Sequence, residues 1–287
     1  MTTLANTART GTLFVVMLVL FAVIGFILGG FFQNDPFTGM VFFLVIAGVM
    51  NVVALFWGDK LILRAYRAKK VDESEAPRLH RLVGRLAVQA GLPKPDIYLI
   101  GSATPNAFAT GRSPTHGKVA FTTGIMELLS EQELEGVTAH ELAHIKNRDM
   151  LVMTVAATIA AAIGFAVRMA MWRAIFGGRD ARQALPILIL LAITAPLAAM
   201  VIQMAISRTR EFRADAGGAQ ITGNPRALAS ALRRLESGVQ ARPMERGNPT
   251  HASLFIVNPF RGGGFVKLFM THPPMDERIR RLEAMAY

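Results

Sequence analysis

Four long apolar stretches without a charged residue constrain the fold of this chain more than any other feature. They cover residues 10–34, 36–58, 150–167 and 183–207. Because roughly twenty apolar residues in a helix span a bilayer, the first two stretches predict transmembrane helices at about 12–32 and 38–57. The first stretch is longer than the apolar region of a signal peptide and has no clear cleavage site behind it, which favours a membrane helix over a removed signal.

The positive charge of the chain supports the same interpretation. A net charge of +11 is typical of nucleic-acid-binding proteins or of membrane proteins with basic cytoplasmic segments. The apolar stretches favour the second class, so the lipid bilayer is the expected partner and nucleic acid is not. The positive-inside rule places the N terminus and the segment after residue 58 in the cytoplasm, because basic residues follow the second stretch: Lys60, Arg64, Arg67, Lys69 and Lys70.

The later pair of apolar stretches predicts a second hydrophobic hairpin, at about 150–207, whose topology the sequence leaves open. Four full spans would place the arginine-containing link between these stretches outside the membrane, against the charge rule. A hairpin that is partly embedded, or packed on the soluble part, is the alternative. In both cases the chain returns to the side it left, so we predict an N-terminal transmembrane hairpin (1–59) and a cytoplasmic domain (60–287) interrupted by 150–207.

The remainder of the cytoplasmic part predicts a mixture of helices and strands. Apolar residues at helical spacing indicate a helix over 76–90, a second over 219–237 and a short closing helix over 275–285. Three short segments rich in strand-forming residues (96–100, 106–111 and 118–123) predict a small antiparallel sheet. The expected fold class is therefore a mainly α membrane protein with an α+β cytoplasmic domain.

The sequence His140-Glu141-Leu142-Ala143-His144 is the chemical centre of the chain. Ser130 and Glu133 form a capping box that predicts a helix start, and residues four apart on a helix share a face. The two imidazoles can therefore bind one zinc ion, while Glu141 takes a proton from the attacking water. With no cysteine in the chain, further ligands must be histidine or carboxylate. A lone motif of this kind also arises by chance, so a third ligand is needed.

Glu211 is the candidate third ligand, and Asp215 lies four residues further on, on the same helical face. Asp215 would accept a hydrogen bond from the second ring nitrogen of a liganding histidine. The spacing alone is equally compatible with two carboxylates that pair with the neighbouring arginines.

Three segments resemble a known family when taken together: HELAHIKNRD, then SRTREFRADAGG after the hydrophobic hairpin, then THPPMDERI near the C terminus. Their order and sequence are similar to those of HtpX-type membrane zinc metallopeptidases, relatives of the CAAX prenyl endopeptidases. The resemblance extends over nearly the whole chain and implies a zincin-like domain with one zinc ion, held by His140, His144 and Glu211.

The resemblance also implies roles that spacing could not reveal. His272 and Arg278 would stabilise the oxyanion, and Asn106, Ala107 and Phe108 would form an edge strand that pairs with an extended substrate. The implied task is membrane-protein quality control under stress, in which unfolded or damaged membrane proteins are cut at the cytoplasmic face. Self-cleavage is a related expectation. The implied location is the bacterial or archaeal cell (inner) membrane, in a multi-pass protein.

Three other functions compete with this one. An intramembrane protease would place the motif inside an apolar span, whereas here the polar segment SEQELEG precedes it. A metal transporter would carry ionisable residues within its spans, and a non-catalytic scaffold would not need Glu141. CAAX-type processing of prenylated proteins is the third alternative, although the chain is short for that branch.

Overall fold

The computed structural model describes residues 35–149, 171–172, 208–244, 255–259 and 273–285, together with scattered positions between residues 15 and 30. The chain divides into two compact units: Met1–Trp57 with Leu151–Gln203, and Gly58–Met150 with Met204–Tyr287. The second predicted hairpin (150–207, apart from residues 171–172) and most of the first predicted span (12–32) lie outside the described residues. Within the described part of the chain, no helix has both the length and the apolar content needed to cross a membrane.

The first unit contains a close contact between glycines. Helix α1 (Pro36–Ala65) includes the second predicted span, and the described positions between residues 15 and 30 are also helical. A methyl group added at Gly39 would lie 2.3 Å from the Cα atom of Gly29, so only glycine permits this approach. Large apolar side chains of α1 are exposed, among them Phe42, Val45 and Val49.

The second unit is built around a four-stranded sheet with the order β1-β2-β4-β3. The strands are β1 (Lys69–Lys70), β2 (Asp96–Ile100), β3 (Ala107–Thr110) and β4 (Lys118–Thr122). The prediction of an antiparallel sheet is wrong for one pairing, because β2 and β4 run parallel. The chain crosses from β2 to the far edge of the sheet, forms β3, and returns antiparallel as β4 between them. Strand β3 therefore lies at the sheet edge.

Within the described residues, six α-helices lie wholly in this unit. They are α2 (Pro77–Ala90), α3 (Thr123–Leu128), α4 (Glu131–Asn147), α5 (helical over the described residues 208–222), α6 (Pro225–Ala241) and α7 (Met275–Glu283). The prediction of one continuous helix over 219–237 is wrong, because the helix is interrupted at Gly223, whose φ is 65°. Asn224 then caps α6 by accepting a hydrogen bond from the Ala227 N–H, and Pro225 follows in the first turn.

Helix α4 occupies the centre of this unit, where it packs against α2, α6 and β3. The predicted capping box is confirmed: the Ser130 side chain accepts a hydrogen bond from the Glu133 N–H, and Glu133 accepts one from the Ser130 N–H. The shared core contains Leu82 and Leu86 of α2, Val119 and Phe121 of β4, and Leu142 of α4. A helix surrounded in this way holds its functional side chains in fixed positions.

Candidate metal centre and active site

Helix α4 directs His140 and His144 toward a common point, because they lie one turn apart on the same face. His140 is fully buried, and the side chain of His144 is 12% exposed. Their Nε2 atoms are 3.1 Å apart. Glu211 of α5 completes the group, with Oε2 3.6 Å from Nε2 of His140 and Oε1 3.5 Å from Nε2 of His144.

These distances fit a zinc site. Four ligands at bond lengths of about 2.0–2.1 Å in a tetrahedron are separated by roughly 3.3–3.4 Å. The three separations of 3.1, 3.5 and 3.6 Å bracket that range. Two neutral imidazoles and one carboxylate are also the ligand set of a catalytic zinc site that keeps its fourth position for water. The residues present therefore fit zinc in both geometry and chemistry.

Glycines on α5 allow Glu211 to reach the two histidines. A methyl group added at Gly218 would lie 2.9 Å from the backbone nitrogen and 3.0 Å from the Cα atom of His140. One added at Gly217 would lie 3.0 Å from the Ala143 side chain. Helices α4 and α5 thus approach almost backbone to backbone, and the position of Glu211, the candidate third ligand, depends on this close packing.

A buried carboxylate and an arginine support His140. Its Nδ1 lies 3.0 Å from Oδ1 of Asp215, the carboxylate that was expected to accept a hydrogen bond from one of the two histidines. Arg278 donates two hydrogen bonds to the same carboxylate, at 2.8 and 2.7 Å, and a third at 3.0 Å to the carbonyl oxygen of Ile256. Burial alone would raise the pKa of Asp215, but the Arg278 charge and hydrogen bonds hold it below its usual value.

His144 has a corresponding support that the sequence analysis missed. Arg148 ends α4 in the left-handed conformation, with φ 56°, and the next residue, Asp149, accepts a hydrogen bond of 2.8 Å from Nδ1 of His144. Burial alone would lower the pKa of His144, but the Asp149 hydrogen bond and the nearby Glu211 charge raise it to about 9. The available signal was an aspartate shortly after the motif, since liganding histidines bind carboxylates through the second ring nitrogen.

Glu141 is buried beside the two histidines, with 2% of its surface exposed. Burial raises the pKa of its carboxyl, while the neighbouring histidines and a hydrogen bond from the Ala109 N–H act in the opposite direction. A carboxylate with a raised pKa is a better proton acceptor near neutral pH. The hydrogen bond from Ala109 also connects the edge strand β3 to this group.

The residues predicted to bind substrate are all buried. The Asn106 side chain donates a hydrogen bond of 2.7 Å to the carbonyl oxygen of Val257, and Phe108 packs edge to face on Phe255. The carbonyl oxygen of Ala107 accepts a hydrogen bond of 3.3 Å from the Ile256 N–H. Of the two residues predicted to stabilise the oxyanion, Arg278 contacts Asp215 as described above, and His272 lies outside the described residues.

Comparison with known proteins agrees with this geometry. The family model described as Peptidase family M48 matches residues 73–286. A protein named "Protease HtpX homolog" from Thermodesulfovibrio yellowstonii is 53% identical over 98% of this chain and 99% of its own length. Proteins of the same name from Salinibacter ruber and Pyrococcus furiosus are 52% identical over 98% of this chain and 98% of their own, and 49% identical over 97% and 95%, respectively.

The fold is similar to that of a solved structure, by comparison of shape alone. The crystal structure of S. mikatae Ste24p gives a TM-score of 0.60 at 18% sequence identity. The match covers 98% of this chain but 64% of that protein. At this identity the similarity concerns the fold alone.

The site and the relatives together define a zinc-dependent metallopeptidase, in which a buried carboxylate adjoins three converging side chains that could hold a metal ion. The relatives carry the name of a protease along nearly their full length. The chain belongs to peptidase family M48, whose model matches well over half of it.

Proposed function

We propose that this chain is a membrane-bound endopeptidase that cuts misfolded or damaged membrane proteins at the cytoplasmic face of the cell membrane. The observation that carries the hydrolytic part is the convergence of His140, His144 and Glu211 next to the buried Glu141. Because the relatives are named only as proteases, the substrate class and the location rest on the apolar stretches and on the family resemblance.

Each residue of the site has a distinct role in this proposal. His140, His144 and Glu211 hold the metal ion, which when bound supplies a Lewis acid that acidifies water and polarises the substrate carbonyl. Glu141 accepts a proton from the attacking water and passes it to the leaving amine nitrogen.

We give different roles to the two residues that were expected to stabilise the oxyanion. For His272 we keep the oxyanion role that the resemblance implies. The contacts of Arg278 favour another role. Its buried guanidinium donates hydrogen bonds to Asp215 and to the carbonyl oxygen of Ile256, and its Nη1 lies 3.4 Å from Oε2 of Glu211. We therefore assign Arg278 to the positioning of Asp215, and through Asp215 of His140.

Strand β3 is the proposed docking edge for an extended substrate. It lies at the end of the sheet, and its Ala109 N–H is directed at Glu141. At Ala107 this edge is already hydrogen-bonded to Ile256 of the same chain. A substrate backbone would therefore pair beyond Ala107, near Ala109, while Asn106 and Phe108 support the strand from within the core.

Attachment to the membrane is supported by the first unit. The exposed apolar side chains of α1 suit a lipid environment, and the close contact between Gly29 and Gly39 is typical of helices that pack in membranes. The basic residues that follow the second apolar stretch favour a cytoplasmic location for the second unit. A site connected to a membrane hairpin suits substrates that are themselves membrane proteins, and also suits self-cleavage.

The test is a cleavage assay with the purified full-length chain in lipid vesicles. A membrane protein is offered in its folded and in its unfolded form to the wild type, to a chelated sample and to Glu141→Gln. We expect the wild type to cut the unfolded form and chelation to stop cleavage, because the metal supplies the Lewis acid. Glu141→Gln should lower the rate by roughly 10²–10⁴-fold, the usual contribution of a general base. Glu131→Gln, an exposed carboxylate of the same helix, is the matched control and should retain the wild-type rate.

Three outcomes would contradict the proposal. A Glu141→Gln variant that cleaves at the wild-type rate would remove the assignment of the base. Preference for a prenylated C-terminal peptide over the unfolded membrane protein would favour the CAAX alternative. Tight zinc binding without any cleavage would favour the transporter or scaffold.

A further inference from the structure

We propose that Asp149 is a positioning residue for His144, and that Arg210 fixes Asp149 in place. This inference rests on the zinc site of the proposed function. In this arrangement each liganding histidine is supported by a carboxylate, which is held in turn by an arginine. Asp215 and Arg278 support His140, and Asp149 and Arg210 support His144. Asp149 and Arg210 lie within the segments HELAHIKNRD and SRTREFRADAGG, but the sequence analysis assigned a role to neither residue.

The hydrogen bond between His144 and Asp149 determines the orientation of the imidazole ring. Asp149 is 2% exposed, and its Oδ2 lies 2.8 Å from Nδ1 of His144. A ring held through Nδ1 keeps its hydrogen on that atom, so the lone pair of Nε2 is directed at the opposite side. On that side lie Nε2 of His140, at 3.1 Å, and Oε1 of Glu211, at 3.5 Å. Asp149 thereby selects both the tautomer and the direction that a metal ligand needs.

Arg210 connects this support to the third ligand. Its side chain is 8% exposed, and Nη1 donates a hydrogen bond of 3.3 Å to the backbone carbonyl oxygen of Asp149. Arg210 directly precedes Glu211 on α5. The same helical turn therefore delivers the third ligand to the metal and holds the backbone of Asp149, so the supports of two ligands on different helices are connected.

A purely structural role would have a different consequence. The left-handed residue Arg148 ends α4, and Asp149 could serve only to stabilise that helix end. In that case its removal would lower the stability of the metal-free protein and leave the affinity for zinc unchanged. A positioning role predicts the reverse pattern, because the ligand geometry matters only when a metal binds.

The experiment measures metal binding rather than cleavage, so its result does not depend on the substrate of the enzyme. The dissociation constant for Zn²⁺ is measured by competition with a chelator on the purified full-length chain, and the visible spectrum of bound Co²⁺ reports ligand geometry. Loss of such a support typically weakens metal binding roughly 10–100-fold, and we expect this of Asp149→Ala, together with an altered Co²⁺ spectrum. Asp149→Asn should restore part of the affinity, since an amide oxygen still accepts the Nδ1 hydrogen bond.

Two further variants complete the comparison. Arg210→Gln should weaken zinc binding in the same direction but less, because it loosens the support without removing it. Asp276→Asn, an exposed carboxylate on α7, should bind zinc as the wild type does.

A wild-type dissociation constant and Co²⁺ spectrum for Asp149→Ala would overturn the proposal. If Asp149→Ala does not fold, wild-type zinc affinity in both Asp149→Asn and Arg210→Gln would overturn it. Failure of the wild type to cleave any substrate would count against the proposed function and leave this inference intact.

Discussion

Glu211 is the residue on which the metal site depends most directly, because it is the only proposed ligand that α4 does not supply. We expect Glu211→Gln to lose stoichiometric zinc, since an amide is a much weaker ligand than a carboxylate. Metal analysis after dialysis against a trace of zinc measures this. The conservative change keeps the shape of the side chain, so the fold should survive, as circular dichroism would confirm. Wild-type zinc content in this variant would exclude Glu211 as a ligand.

The positions of residues within one helix could be predicted from the sequence. The positions of residues on another helix, or beyond a helix end, could not. The positions of His140, Glu141 and His144 follow from helical periodicity once the capping box is recognised. Spacing left Glu211 open, because its approach to α4 depends on glycines that contact another helix. Asp149 was missed because it lies beyond the helix end, after a left-handed turn formed by Arg148 rather than by the usual glycine.

At the scale of elements, the contact between α4 and α5 decides whether the site can form. We expect Gly218→Ala to weaken zinc binding and to lower the unfolding temperature, because the added methyl group would push α5 away from the His140 backbone. Gly84→Ala on α2 is the matched control. Its methyl group meets only the Lys94 side chain, at 3.7 Å or more, so the better helix propensity should raise stability by roughly 0.5–1 kcal/mol. Wild-type zinc affinity in Gly218→Ala would show that the helices can separate without harm to the site.

The start of α4 makes the stability of this unit depend on pH. Glu133 accepts hydrogen bonds from Ser130, Ser230 and Arg234, which connect α4 to α6. Burial alone would raise the pKa of Glu133, but these partners hold it below its usual value. Its stabilising effect is therefore complete above the unfolded pKa of about 4.3 and is lost as the pH falls through the lower folded pKa.

A substitution isolates this contribution. We expect Glu133→Gln to destabilise the protein by about 1–3 kcal/mol near neutral pH, since charged hydrogen bonds are lost in a buried position. Thermal unfolding at a series of pH values should show the difference from the wild type shrinking below about pH 4.3. Glu127→Gln, exposed on α3, should show little difference at any pH. A difference for Glu133→Gln that stays constant with pH would contradict the assignment.

Local patterns predicted the elements better than their arrangement. The strands 96–100, 106–111 and 118–123 each coincide with an observed strand, and the helix over 76–90 begins one residue early. The parallel pairing of β2 with β4 could not be read from them, because it joins segments that β3 separates in sequence. The break before α6 did have a local signal in Asn224-Pro225, which a helix-long apolar pattern obscured.

For the whole molecule, we expect zinc to raise the unfolding temperature. A ligand that binds only the folded state at 1,000 times its dissociation constant adds about 4 kcal/mol of stability. Thermal unfolding of the chelated full-length chain should therefore shift upward with each addition of zinc. Glu211→Gln should respond far less. A wild-type unfolding temperature that does not respond to zinc would mean that the metal adds nothing to the fold.

The pairing of His144 with Glu211 also has a topological consequence. One metal ion would join residues on either side of the predicted hydrophobic hairpin 150–207, and so close a large ring through metal–ligand bonds. While the polypeptide is intact, α5 is present at a high effective concentration near α4, and the third ligand binds without the entropy loss of a separate encounter. A single cut in that segment, by the protein itself or by another protease, would place the ligands on two fragments. Retention of the metal would then depend on the protein concentration.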